Sequence, residues 1–240
     1  MKSYPSSCKP GFTLIETVIA IGVLAVLLTG FMYVFAPAAA GIRKALNVQE
    51  ADRLASTLEQ EMVTLRTGQG TATVKTGFAK AFEWIKTSNA ANTSVFVYQY
   101  RGKLNNVRAD GTPEPETNIK DKVPGENYVV RTMVRRKNDP IFLEDLPAIE
   151  GGIYLVKCTQ LIFDGGQLKP GTAGSLVDPK GAHANAASSD VYTEAVIAFS
   201  ADFFALPAKT PSYFGSSGGF DKNFDAIKKP IFTRNLAVRR

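Results

Sequence analysis

A run of apolar side chains from Phe12 to Phe35 contains one charged residue, Glu16, and no other charge follows until Arg43. About 20 residues of this kind span the hydrocarbon of a bilayer as an α-helix, and positions 17–35 nearly suffice alone. A chain with such a segment folds as a helix in lipid joined to whatever follows it. The acid is the anomaly. A charged side chain costs roughly 2.5–3.5 kcal/mol at mid-span and less toward the edge, so Glu16 calls for a partner or a function. It lies near the start of the run, where a cation can reach it.

Two simpler readings account for part of the segment. A conventional signal peptide finds small residues for cleavage in Ala36-Pro37-Ala38-Ala39-Ala40-Gly41. The apolar run is nevertheless well beyond the roughly 7–15 residues of a signal core, and a buried acid has no purpose in a discarded segment. A plain single-pass anchor explains the length but neither Gly11 nor Glu16. The stretch Lys9-Pro10-Gly11-Phe12-Thr13-Leu14-Ile15-Glu16 with its uncharged continuation resembles the class III signal of type IV pilin-like proteins, the pilins and the pseudopilins of type II secretion. That resemblance implies that a prepilin peptidase cuts between Gly11 and Phe12 and methylates the new amino terminus. Residues 1–11 would then be a leader, and Glu16 the fifth residue of the mature chain.

Lys2 and Lys9 precede the span with no acid beside them, which places the N-terminus on the cytoplasmic side and the rest of the chain outside the cytoplasm. Beyond the span Ala51, Leu54, Leu58, Met62 and Leu65 recur at spacings of three and four, with Asp52, Arg53, Glu59 and Glu61 between them. One helix therefore reaches from residue 12 to about residue 66, roughly 80 Å at 1.5 Å per residue. Residues 12–42 form its membrane part and 43–66 an amphipathic continuation. Pro37 removes a backbone donor and is expected to bend or locally melt it.

After residue 67 the character changes. A short helix is expected over 77–86, with Phe78, Phe82 and Ile85 on one face and Trp84 off it. Runs rich in Val, Ile, Tyr, Phe and Thr follow at 94–101, 127–136, 152–163, 191–204 and 231–238, separated by segments of turn composition at 105–125, 165–187 and 207–219. Strands without long intervening helices argue for a mainly antiparallel sheet. The fold class is thus α+β: a long N-terminal helix laid across one face of the sheet, the pilin-like arrangement, with 67–240 as one outer domain. Tyr154 to Gly166 and Phe232 to Arg239 also look like minor pseudopilins of the J type.

Little in the chain carries chemistry. His183 is the only histidine, so a histidine-based catalyst or multi-histidine metal site has nothing to draw on, and no enzyme is expected. Gly70 to Thr76 lacks the glycine before lysine that a phosphate loop needs. Asp110, Glu114, Glu116 and Asp121 sit in a proline-rich segment read as a solvated loop. The metal candidate is Asp221-Lys222-Asn223-Phe224-Asp225, where Asp221, Asn223 and Asp225 match the first three ligands of a calcium loop. Ala226 and Phe232 then stand where the glycine and the bidentate acid belong. Major pseudopilins hold calcium near their C-terminus, so calcium is the one cofactor considered. Cys8 falls in the expected leader, leaving Cys158 as a buried apolar residue in a strand with no intramolecular disulfide available.

The formal charge is +6, or +4 once Lys2 and Lys9 leave with the leader. Arg131, Arg135, Arg136, Lys137, Lys228, Lys229, Arg239 and Arg240 are read as a solvated charged face. No nucleic-acid module accompanies them, so nucleic acid is not an expected partner. The resemblance implies a structural subunit, a minor pilin or pseudopilin. Its partners would be other subunits, a prepilin peptidase and an assembly platform. It would be held in a bacterial inner membrane with its outer domain periplasmic, or at the cell surface in a pilus. The methylated amino group of Phe12 would pair with Glu16 of a neighbour during assembly. The alternative left open is a β-rich binding domain, secreted after a cut near Ala40 or anchored uncut.

Overall fold

In a computed structural model, which describes residues 13–68, 74–180, 185–215 and 218–240, the apolar run becomes a single helix, α1, Leu14–Val63, of 50 residues. It continues through Pro37 without the expected melting; Ala38, Ala39 and Ala40 are the strongest helix formers and carry the chain past the lost donor. The chain divides into two compact units after Leu46. In the first unit the apolar side chains of α1 are exposed, among them Ile19, Val26, Leu27 and Phe31. A contiguous apolar surface of this size is a surface for lipid or for other helices. Among the described residues α1 is the one helix long and apolar enough to cross a membrane.

In the second unit, α1 from residue 47 onward buries Ala51, Leu54, Ala55, Leu58 and Met62 completely. It packs against α2, Gly77–Thr87, and one face of a seven-stranded antiparallel sheet. The strands are β1 Val95–Val107, β2 Pro113–Pro115, β3 Tyr128–Arg136, β4 Ile149–Asp164, β5 Gln167–Pro170, β6 Val196–Ala205 and β7 Phe232–Arg239. Their path is β2-β1-β4-β6-β7, with β3 on β1 and β5 on β4, and every pairing is antiparallel. The fold is α+β, as expected from the run of strands. Five strands stand close to their expected positions; β2 and β5 lie in segments expected to be turns.

Alternation along the strands serves two cores. Val95 and Val97 of β1 and Tyr154, Val156 and Cys158 of β4 face α1 and α2. Phe96, Tyr98 and Tyr100 of β1 and Ile153 and Leu155 of β4 face the other way. That second face is covered by three short helices, α3 Pro140–Asp145, α4 Pro211–Phe214 and α5 Gly219–Asn223. Phe142, Phe214 and Phe220 surround Phe96 with ring centroids 4.7, 5.3 and 5.2 Å away. The turn composition expected over 207–219 therefore gives way in part to helix, because burying Phe214 outweighs the weak local preference.

Two contacts fix α1 within this unit. Glu50 accepts from the Tyr154 hydroxyl at 2.5 Å and the Gly152 amide at 3.4 Å. It does so where the β1–β4 register slips between Tyr98 and Gln99. Gly151 has φ +68°, and a Cβ there would lie 2.2 Å from Glu50 Oε1, so this bulge has no room for a side chain. At the helix end, Lys80 is 2% exposed and donates through Nζ to the carbonyls of Glu61 and Thr64 at 2.8 and 2.5 Å. It thereby satisfies carbonyls that the last turn leaves unpaired. Trp84, expected off the apolar face of α2, is buried with Lys80 4.4 Å from its ring centre, because α2 is covered on more than one side.

Candidate functional site

The first turn of α1 is built by four residues, Thr13-Leu14-Ile15-Glu16. Thr13 N and Oγ1 donate to Glu16 Oε2 at 2.9 and 2.8 Å, and the Glu16 amide donates to Thr13 Oγ1 at 3.3 Å. This is a capping box, in which threonine and glutamate three residues apart satisfy each other's backbone donors. The local sequence thus explains part of Glu16 without any partner. It leaves the charge uncompensated, however, because both of Thr13's bonds fall on Oε2 and Thr13 is neutral. The next charged side chain on the helix, Arg43, lies roughly 40 Å along it. Among the described residues no cation is placed to pair with Glu16. Gly11 and Phe12, the expected processing and pairing residues, lie outside the described residues, as do Cys8, His183 and most of the Gly70 to Thr76 segment.

The calcium candidate is dispersed over α5 and the turn after it. Asp221 forms an ion pair with Lys137. The Asn223 amide donates to the Gly219 carbonyl at 2.8 Å. Lys157 Nζ bonds the Ile227 carbonyl at 3.0 Å, and its charge acts on Asp225. Two lysines therefore supply positive charge to the oxygens of this segment. Its side chains that matter for packing are Phe220 and Phe224, spaced four apart and buried in the second core. Among the described residues no group of three or more His, Cys, Asp and Glu side chains is placed to hold a metal ion.

Of the acids read as a solvated loop and the cations read as a solvated face, Asp110 and Arg135 meet in the interior instead, while Asp121, Arg131, Lys228, Lys229, Arg239 and Arg240 are exposed as expected. Arg135 is completely buried and bonds Asp110, Asp139 and Asp145 at 2.8, 3.0 and 3.3 Å. Asp145 also accepts from the Tyr98 hydroxyl at 2.6 Å and from Arg108 at 2.8 Å. Burial works to raise the Asp110 carboxyl, but the bonds from Thr112 and Arg135 outweigh it and hold the group below its ordinary value. Glu116 is also buried and pairs with Lys122. The reason is topological: the turn between β1 and β2 carries Asp110 against Arg135 of β3, a meeting that their separation in sequence conceals. Cys158 is fully buried, and burial pushes its thiol up to about 12. The contacts around Arg135 and Asp145 hold the strands and the second core together.

Comparison with known proteins gives one match, and it falls on the helix start. Residues 7–32 match the family model described as the prokaryotic N-terminal methylation motif. The search of curated proteins returned no match, nor did the search of solved structures. The motif includes the capping box formed by Thr13 and Glu16. The chain carries the class III prepilin signal of type IV pilins and pseudopilins.

Proposed function

We propose that the protein is a structural subunit, a minor pilin or pseudopilin, of a type IV pilus or of a type II secretion pseudopilus, and that it is not an enzyme. The observation that carries this reading is Glu16: an acid inside the methylation motif, on an exposed apolar helix, whose one side-chain partner among the described residues is the neutral Thr13. Cleavage after Gly11 would create an ammonium on Phe12. In lipid the ammonium of one subunit pairs with Glu16 of its neighbour, which removes the penalty of an isolated charge. Glu16 Oε1, which takes neither of the Thr13 bonds, is the oxygen open to it. The exchange sets the axial register as the apolar helices bundle, and it explains why an expensive acid is retained.

The basic leader favours a cytoplasmic N-terminus and an outer domain beyond the membrane. Prepilin peptidase, an assembly platform and other subunits are then the partners. The acid at the fifth mature position argues against the tip subunit of a secretion pseudopilus. Glu16→Ala tests the pairing: the variant should be processed and inserted but recovered poorly in sheared filaments or in crosslinked subunit ladders. Assembly at the parental level would sink the pairing.

A further inference from the structure

A cleft of about 480 Å³ opens between α2 and the corner where β3 turns into α3, and nothing in the assembly reading uses it. Its size is that of a pocket for a small molecule or for one or two residues of a peptide. Lys80, Glu83 and Trp84 line it from α2, Arg135 and Arg136 from the end of β3, and Ile141 from α3. The three cations are engaged to different degrees. Arg135 is saturated by Asp110, Asp139 and Asp145. Lys80 is held by the carbonyls of Glu61 and Thr64 and lies over Trp84.

Arg136 is different. Its Nη2 donates to Thr87 Oγ1 at 2.8 Å, which fixes the plane of the guanidinium. Its Nε is buried and makes no hydrogen bond among the described residues. Glu83 is the acid whose charge Arg136 feels, but it does not bond it; burial, the larger effect, pushes the guanidinium below its ordinary value. The remaining acids of the cleft, Asp110 and Asp139, already have both oxygens bonded. The cleft thus presents one oriented guanidinium that forms no ion pair among the described residues, beside an aromatic ring and an aliphatic side chain. A planar oxyanion on a short carbon stem matches that arrangement, because a carboxylate lies in the guanidinium plane.

We propose that this cleft is a carboxylate-binding site, in which the Arg136 guanidinium donates to the ligand carboxylate and Trp84 and Ile141 flank its carbon stem. The carboxylate can belong to a small free acid or to a glutamate side chain of another polypeptide. Glu83, set opposite the ligand charge, limits the affinity.

Trp84 is the only tryptophan in the chain, so its fluorescence reports this cleft alone. The full chain in detergent micelles is titrated with sodium propionate, with the peptide acetyl-Ala-Glu-Ala-amide, with its Gln counterpart and with inorganic phosphate, at constant ionic strength. Expected is a saturable change with propionate or the Glu peptide and none with the Gln peptide. A tighter response to the Glu peptide than to propionate assigns the site to a polypeptide side chain; the reverse assigns it to a small acid. Arg136→Gln and Arg136→Lys should each weaken binding by about tenfold or more, as loss of a charge-assisted hydrogen bond does. Glu83→Gln should strengthen it, an outcome that damage to the fold would not produce. No saturable change with either carboxylate, phosphate binding as tight as carboxylate, or equal binding by the parent and Arg136→Gln overturns the proposal. Filament assembly does not enter this measurement, so its result is independent of the subunit reading.

Discussion

Thr13 and Glu16 hold each other in both directions at the first turn of α1, through bonds of 2.9 and 2.8 Å onto Glu16 Oε2 and one of 3.3 Å back to Thr13 Oγ1. The pair gives a membrane-length helix a defined start and gives the one acid of its apolar run a fixed direction. Replacing Thr13 with alanine should cost about 1 kcal/mol at the helix terminus, and serine should restore most of it. Amide exchange in micelles checks this: residues 14–17 should exchange faster in Thr13→Ala and near the parental rate in Thr13→Ser. Unchanged protection in Thr13→Ala would mean that the box does not hold the turn.

Glu50 makes the corresponding contact in the outer domain, at the bulge that Gly151 and Gly152 open in β4. Glu50→Ala leaves the Tyr154 hydroxyl and the Gly152 amide without their partner and should destabilise the domain by about 1–3 kcal/mol. Gly151→Ala should cost at least as much, since it adds strain at φ +68° to a Cβ placed 2.2 Å from Glu50 Oε1. Combining the two should recover part of the loss, because the clash disappears with the carboxylate. Denaturant midpoints of the three variants decide it, and strict additivity would contradict the shared contact.

Arg135 and Asp110 make stability depend on pH in a defined sense. The Asp110 carboxyl is held below its ordinary 3.8 in the folded state. A group of that kind contributes stability above its unfolded value, and the contribution is lost as pH falls through the folded one. Acid unfolding of the parent should therefore include a loss below about pH 4 that Asp110→Asn lacks. The test is the slope of unfolding free energy against pH in that window for the two proteins. Equal slopes would show that the carboxylate is not selectively stabilised.

Much of this architecture is legible in the chain. The apolar run, the spacing of Ala51, Leu54, Leu58 and Met62, and five strand-like segments give the helix, its buried face and most of the sheet. The second core is harder to read. Helices α3, α4 and α5 are four to six residues long, too short for a period to register. The one available signal was the spacing of Phe220 and Phe224 within a segment that looked polar. Strand β5 also had a sign, the Gly165-Gly166 pair, whose positive φ values turn the hairpin onto β4. The interior pairing of Arg135 with Asp110 had none, since charge in sequence carries no information on burial. At the helix start the acid stands out first, and Thr13 and Glu16 spell its cap at the usual spacing of a capping box.

The placement of Lys137 and Lys157 bears on the Asp221, Asn223 and Asp225 segment. Lys137 already pairs with Asp221 and Lys157 is held at the nearby Ile227 carbonyl, so a divalent cation would have to displace the first and sit beside the second. Calorimetric titration of the full chain in micelles with calcium should give no binding heat at millimolar concentration. Removing the competing charge with Lys137→Ala leaves Asp221 exposed to solvent and should not by itself create tight binding, since too few ligands converge. A saturable heat in the parent would restore calcium as a ligand here.

The most direct test of a processed filament subunit is the N-terminus of the protein itself. The full chain is produced in membranes together with a prepilin peptidase, extracted, and examined by intact mass and N-terminal peptide mapping. The account predicts loss of the first 11 residues and a mature chain that begins at N-methylated Phe12, with Gly11→Ala remaining at precursor mass. A parental chain that still begins at its leader, or one cut near Ala40, would contradict it.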